Sequence, residues 1–387
     1  MRPTSGMRVK DSMLILAVDI GTGTQDILLF DSAREVENCF KMVLPSPTVQ
    51  LAQAVREATR RGEDVVLTGV LMGGGPCAWA VRDHLNAGYR VYATPDAART
   101  FDDDLDWVAG MGVILVSEDE AAAIRHSAVH LRTGDFDYHA LAQAFGHFGV
   151  NLDRDLDALA IAVFDHGQAP PGVSDRLFRF QYLAERVRAE NRLSAFAFCA
   201  EDVPPIMTRM RAVAASVPRD DLPVVLMDTA PAAVLGALQD AAVGQRRSII
   251  VVNVGNFHCL AFRLGEEGIE GIFEHHTGEI TTAQLEEFLD RLAEGTLTHE
   301  EVFGTQGHGA IMFLKRALPP EERLWVVTGP RRNRLRSSQR PKLFAAPFGD
   351  MMLAGCYGLI RACGDVMPEY GPLIADAMQR GDGRALW

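Results

Sequence analysis

The sequence predicts an α/β protein built as two lobes, with a large α/β insertion in the first. Three observations lead there. Residues 14–44 and 247–276 each hold three β-forming runs hinged on a glycine turn, a modest internal duplication. An alanine- or glycine-rich helical stretch follows in each half, "APAAVLGALQDA" and "GDMMLAGCYGLIRA". Between the halves, strand-like and helical patterns alternate in the order of βαβ units.

"LILAVDI" (14–20) is a continuous run of β-formers, and the run at 26–30 mirrors it across Gly21 and Gly23. With a third run at 38–44 and short connections, an antiparallel meander is expected. A helix over 48–61 leads to "VVLTG" (65–69), then "GGGP", a helix over 76–87 and "RVYAT" (90–94). Strand cores follow in "MGVILVS" (111–117) and "LDALAIAVFDHG" (156–167), and a helix spans 174–191. "SAFAFCAEDVP" (194–204) and "LPVVLMDT" are strands around a helix near 205–216. The second half supplies strands over 247–264 and 268–276, an amphipathic helix over 281–295 and the strand "RLWVVTGP" (323–330). On this reading 13–44 with 194–240 forms the first lobe and 45–193 the insertion. Residues 245–387 form the second lobe, its C-terminal helix lying at the seam between lobes.

Composition narrows the function. The net charge of −13 over 387 residues argues against general nucleic-acid or membrane-surface binding. No apolar run reaches the roughly 18 residues of a membrane span. "MRPTSGMRVKDSM" reads as a frayed leader, and a cytoplasmic protein is expected. Six scattered cysteines lack the two-residue spacing of zinc or iron–sulfur ligation and read as buried thiols.

The stretch "DIGTGTQD" (19–26) concentrates chemistry. Gly21 and Gly23 let the backbone bend and approach a ligand, while Thr22 and Thr24 offer hydroxyls. Asp19 stands beside them to hold a cation or orient water. A phosphate loop and an ordinary hairpin turn both fit this stretch alone.

The order of pieces resembles the actin-like ATPase superfamily of sugar and acetate kinases, heat-shock chaperones and actin. "DIGTGTQD" is similar to its first phosphate motif and "DTAPAAVLGAL" (228–238) to its first connecting helix. "VVNVGNFHCLAF" (251–262), "VVTGP" (326–330) and "GDMMLAGCYGL" (349–359) stand at the second phosphate, adenosine and second connecting positions. The resemblance implies a ribonuclease H-like fold in each lobe, and ATP and magnesium as cofactors bound between them. Asp19 would orient the cation or attacking group, and Gly21, Thr22, Gly23 and Thr24 would bind the terminal phosphate. Asn253 and Gly255 would close the other side, Gly329 would pack against a base, and Asp350 would cap the last helix. An active protein would then be a small-molecule kinase or ATPase; the enzyme class stays open. Asn253, Asn256, Phe257 and His258 depart from the family's Asp-x-Gly-Gly-Gly-Thr, which points also to a degenerate binding or partner-activating module.

"LTGVLMGGGPCAW", "VYATPDAARTFDDDLD" and "VFDHG" resemble a bacterial and archaeal family of unknown function, labelled as related to pyruvate formate-lyase activation. That label implies a cluster on Cys-x-x-x-Cys-x-x-Cys, and this chain has no such triad.

Other candidates remain. Gly73–Gly75 precede Pro76 at a strand–helix junction, where free amides hold an anion or simply allow a tight turn. Cys77 reads as an inert thiol, with a lowered pKa as the alternative. "TFDDDLDW" (100–107) suits a helix start, or magnesium. His166, His258, His275, His276 and His308 fall at strand ends or glycine turns. Asp165 and His258 are catalytic candidates, and Asp19, His166 and His276 metal ligands, of a metal-dependent hydrolase. "RRNRLRSSQRPK" (331–342) reads as a solvated loop, with a phosphate partner as the alternative. The expected partner is a phosphorylated small molecule, without nucleic acid or membrane; a homodimer is also open.

Overall fold

The computed structural model describes residues 12–125, 128–243 and 246–379. Residues 1–11 of the expected leader and 380–387 of the expected second lobe lie outside them.

The opening meander forms as its alternation dictates. β1 (Leu14–Ile20) pairs antiparallel with β2 (Thr24–Asp31), and β2 with β3 (Phe40–Pro45). β8 (Ala158–Val163) and β10 (Val224–Asp228) extend the sheet in parallel from β1, and β9 (Ala197–Cys199) closes the edge antiparallel. The order is β3-β2-β1-β8-β10-β9. β1 and β8 are apolar on both faces because both faces are covered, as buried parallel pairing requires.

The second half repeats the plan. β11 (Ile249–Val254), β12 (His258–Gly265) and β13 (Gly268–His276) form an antiparallel meander, with β14 (Gly309–Met312) beyond it. β15 (Trp325–Thr328) and β16 (Lys342–Phe344) run parallel from β11. Each sheet therefore has a three-stranded meander whose first strand is followed, on its other side, by two successive parallel strands. This is the ribonuclease H-like pattern, and two copies of it make the actin-like ATPase fold.

The two sheets exchange helices. Helix Thr229–Ala237 follows β10 but buries Ala230, Val234 and Ala237 against β11, β12 and β15 of the second sheet. Helix Ala354–Val366 follows β16 but buries Leu359, Ile360 and Cys363 against β1, β2 and β8. They cross where side chains have no room. A Cβ on Gly236 would lie 1.6 Å from the Ala354 carbonyl oxygen, and one on Gly358 1.9 Å from that of Ala232. The small residues read from the sequence are a steric requirement of the seam.

The insertion is smaller than the sequence suggested. β8 lies between β1 and β10, so the segment from 158 onward belongs to the first sheet and not to the inserted unit. The inserted unit is a parallel sheet of β4 (Asp64–Gly69), β5 (Val91–Ala93), β6 (Val113–Leu115) and β7 (Ala128–Thr133), ordered β6-β5-β4-β7. Helices Pro47–Arg61 and Pro76–Asn86 cover it. β8 misleads in sequence because a buried strand looks alike in either sheet. Among the described residues no helix is long and apolar enough to cross a membrane.

Candidate functional site

The two glycine turns meet. Gly21 donates its amide to the Thr24 carbonyl (2.9 Å), closing the first turn between β1 and β2. Gly255 donates to the His258 carbonyl (2.9 Å), closing the second between β11 and β12. Residues of both turns line one interlobe cleft of about 90 Å³. Asn256 reaches across it, and a Cβ on Gly23 would lie 2.2 Å from its Nδ2. The first residues of both crossing helices, Thr229 and Ala354–Gly355, also border the cleft. Helix N-termini carry partial positive charge, which favours an anion, while the Ala230 amide is held by the Asp228 carboxylate and the Ala354 amide by the Met351 carbonyl.

Two carboxyls oppose each other in the β1–β2 register, Asp19 and Asp26. Asp19 accepts a hydrogen bond from the Thr229 hydroxyl (2.5 Å). Its Oδ2 lies against Gly355, where a Cβ would sit 1.8 Å away. Burial raises Asp19 to about 6, with the Thr229 hydrogen bond opposing and Asp228 adding to the rise. Burial and then the Asp19 charge push Asp26 up to about 8. Asp26 Oδ1 has no hydrogen-bond partner among the described residues, while Oδ2 accepts from Thr24 (3.5 Å). Sequence reading missed Asp26. Counting across the hairpin from Asp19 would have found it.

Other expected residues sit elsewhere than their motif roles imply. Gly329 borders the cleft but is pressed onto the second turn; a Cβ there would lie 2.3 Å from Asn253 Oδ1. Asp350 accepts from the Met352 amide (3.0 Å), capping the turn before the helix, whose own N-cap is Leu353. Phe257 turns away from the cleft and meets the Trp79 ring of the inserted unit, centroids 5.8 Å apart. The basic run is tied down. Arg340 pairs with Asp290 (2.6 Å), and Arg334 donates to the Thr277 and Ile280 carbonyls.

A second cavity, about 910 Å³, opens where the C-terminal ends of β4 and β8 meet the second turn. In parallel sheets such strand ends commonly open onto ligands. Its glycine loop is already occupied by protein: the Gly73 amide donates to both Asp135 carboxylate oxygens (3.2 Å each). Asp135 in turn pairs with Arg209 (2.7 Å). Cys77 is fully buried, and burial pushes its thiol up to about 11, so a helix-start thiolate does not form. Asp104 caps the helix at Leu105–Gly110 through the Asp106 and Trp107 amides. Thr22 borders both cavities.

Histidines converge at the edge of this cavity. One ring nitrogen each of His166, His258 and His308 lies within 4.8 Å of the other two. His166 Nε2 and His308 Nε2 are 3.1 Å apart. Behind His308, Glu274 Oε1 stands 3.5 Å from Nδ1. Phe164 stacks on His258 (centroids 4.0 Å apart) and on its other side carries the Arg179 guanidinium, 3.9 Å from the ring centre. Burial holds His166 down at about 3 and lowers His258 and His308 as well, so all three are neutral imidazoles. The expected metal set of Asp19, His166 and His276 does not form. Asp19 lines the interlobe cleft, and His276 is a ring neighbour of His308 (4.6 Å) outside the nitrogen cluster. Asp165 is committed to backbone, accepting from Gly167 (2.8 Å) and Met210 (2.9 Å).

Beneath these rings Arg179 bridges Asp228 (2.6 Å) and Glu274 (3.0 Å) across the lobes, all three buried. Its members are 49 and 95 residues away in sequence, so no local pattern announces the network.

Comparison with known proteins adds a family. Residues 72–334 match the one described as "Putative pyruvate format-lyase activating enzyme (DUF1786)". Among solved structures the chain is similar to the ethanolamine utilization protein EutJ from Carboxydothermus hydrogenoformans, at 11% identity and TM-score 0.30, over 93% of this chain and 90% of that one. It is also similar to an exopolyphosphatase-like protein, at 10% identity and TM-score 0.26, over 82% of this chain and 66% of the other. No curated protein matches the sequence.

Proposed function

Taking as premise that the chain belongs to the DUF1786 family, we propose that it binds the phosphoryl group of a small molecule, with a divalent cation, between its two lobes. The observation that carries this is the convergence of both glycine turns and both helix N-termini on one small cleft. Thr22 and Thr24 would donate hydroxyls to phosphate oxygens, and the helix ends would offset their charge. Asp19 and the unpartnered Asp26 oxygen fit the donor set of magnesium, which prefers carboxylates and retained water. When bound, that ion would neutralise phosphate charge.

Size sets a limit on the ligand. Drug-sized ligands occupy pockets of about 300–1,000 Å³, against about 90 Å³ here. The closed cleft suits a phosphoryl group and its cation; a whole nucleotide requires the lobes to part. Titration calorimetry with magnesium and ATP, ADP, pyrophosphate or inorganic phosphate tests the proposal. Heat and a rise in melting temperature with at least one of them supports it, and neither with any of them rejects it.

Asn253 and Asn256 favour a second reading, ligand binding without turnover. Where a carboxylate would bring charge to a hydrated cation, Asn253 offers a neutral amide, and Asn256 puts a side chain where the motif has glycine. Phosphate release from bound ATP separates the two.

A further inference from the structure

We infer that His166, His258 and His308 form a binding site for one divalent metal ion of the zinc class, with an open coordination position facing the 910 Å³ cavity. The site is separate from the interlobe cleft, and nothing in the inference depends on phosphate binding there.

Geometry makes the case. Three ligands arrive from three places in the chain: the loop after β8, the first residue of β12 and the residue before β14. Two imidazole nitrogens each about 2.0–2.1 Å from a tetrahedral ion lie about 3.3–3.4 Å apart. His166 Nε2 and His308 Nε2 are 3.1 Å apart, close to that edge. His258 Nε2 is buried and has no hydrogen-bond partner among the described residues. A buried ring nitrogen left without a partner gives up its water with nothing in exchange, which is costly. A metal ion removes that cost, and apolar contact does not.

The surroundings match a metal centre. His308 is wholly buried, and its Nδ1 has no hydrogen-bond partner among the described residues, with Glu274 Oε1 3.5 Å away. Two of the nearby cations are compensated by carboxylates, Arg179 by Asp228 and Glu274, and Arg209 by Asp135, while Arg176 donates to the Gly307 carbonyl. His166 and His258 border the cavity whereas His308 does not. The fourth position therefore opens into the cavity, as at catalytic zinc sites with three protein ligands and an exchangeable water. The cavity side would take a small molecule whose oxygen replaces that water.

Metal analysis with cobalt substitution tests this on the full chain. The protein, stripped with chelator and dialysed against zinc, is expected to retain one equivalent; cobalt(II) in its place should give the visible absorption of a four-coordinate complex. His166→Ala and His258→Gln should each weaken zinc binding at least tenfold and abolish that absorption. His308→Ala is buried and tests folding as well, so its circular dichroism is read alongside. His147→Ala, at the exposed C-terminal end of helix Tyr138–Gly146, should retain the metal. Stoichiometry well below one in the parent chain, or equal binding in the folded His166 and His258 variants, would overturn the assignment.

Discussion

Asn256 seats its side-chain amide against Gly23, so close that a Cβ on the glycine would lie 2.2 Å from Nδ2. Two turns more than 230 residues apart in sequence thereby touch across the interlobe cleft.

Gly23→Ala should therefore push the Asn256 amide out of its seat in the cleft or hold the turns apart. If a phosphoryl group is clamped between them, its affinity should fall at least tenfold, about 1.4 kcal/mol. The double variant Gly23→Ala with Asn256→Gly should recover most of the loss. Calorimetry with magnesium and the tightest phosphate ligand reads both. Unchanged affinity in the single variant would separate the contact from binding.

At the seam, Gly236→Ala and Gly358→Ala each drive a methyl group into backbone, not into a side chain that can move aside. Overpacking commonly costs about 1–3 kcal/mol and occasionally more, and here the upper end is expected. Urea denaturation should show both variants with lowered midpoints. A shift below about 0.5 kcal/mol, the usual size for an uninvolved surface change, would mean the helices do not cross so closely.

The carboxyl pair gives a pH dependence with a definite sign. In the unfolded chain both groups titrate near the ordinary value of about 4. In the folded chain Asp19 titrates near about 6 and Asp26 near about 8. Between those values the folded state holds protons that the unfolded state has released. Their contribution is thus complete at acid pH and is lost as pH rises through 6 and then 8. Asp26→Asn cannot ionise. It should melt with the parent near pH ~4 and be more stable near pH ~9 by about 1–3 kcal/mol, the cost of an unpaired buried group. Melting curves across that range check it; a pH-independent difference would contradict it.

Arg179 holds two buried carboxylates, Asp228 and Glu274. Arg179→Met strands both and should destabilise the protein by about 3–5 kcal/mol. Because the pair joins strand ends from both lobes, a single unfolding transition should move as a whole. A loss under about 1 kcal/mol, typical of an exposed ion pair, would show that the carboxyls are stabilised by other means.

The sequence made the fold legible where pattern is local. Meanders declare themselves by β-runs around Gly21 and Gly255, and the crossing helices by Gly236 and Gly358. β8 was misassigned because an apolar run such as Ala158–Val163 carries no mark of which sheet it joins. Gly21, Thr22 and Thr24 were singled out and do line the cleft, yet Asp26 escaped notice because its place there comes from register with Asp19. His166 and His258 were picked out, but their grouping with His308 over His276 depends on side-chain direction across three elements. The Arg179 network depends wholly on tertiary structure.

The central claim is that the first and second turns clamp one phosphoryl group. A crystal structure of the protein with magnesium and a non-hydrolysable ATP analogue tests it most directly. The account predicts phosphate density between Gly21–Thr24 and Gly255–Asn256, with the cation beside Asp19 and Asp26. Phosphate density confined to the larger cavity, with the interlobe cleft empty, would contradict it.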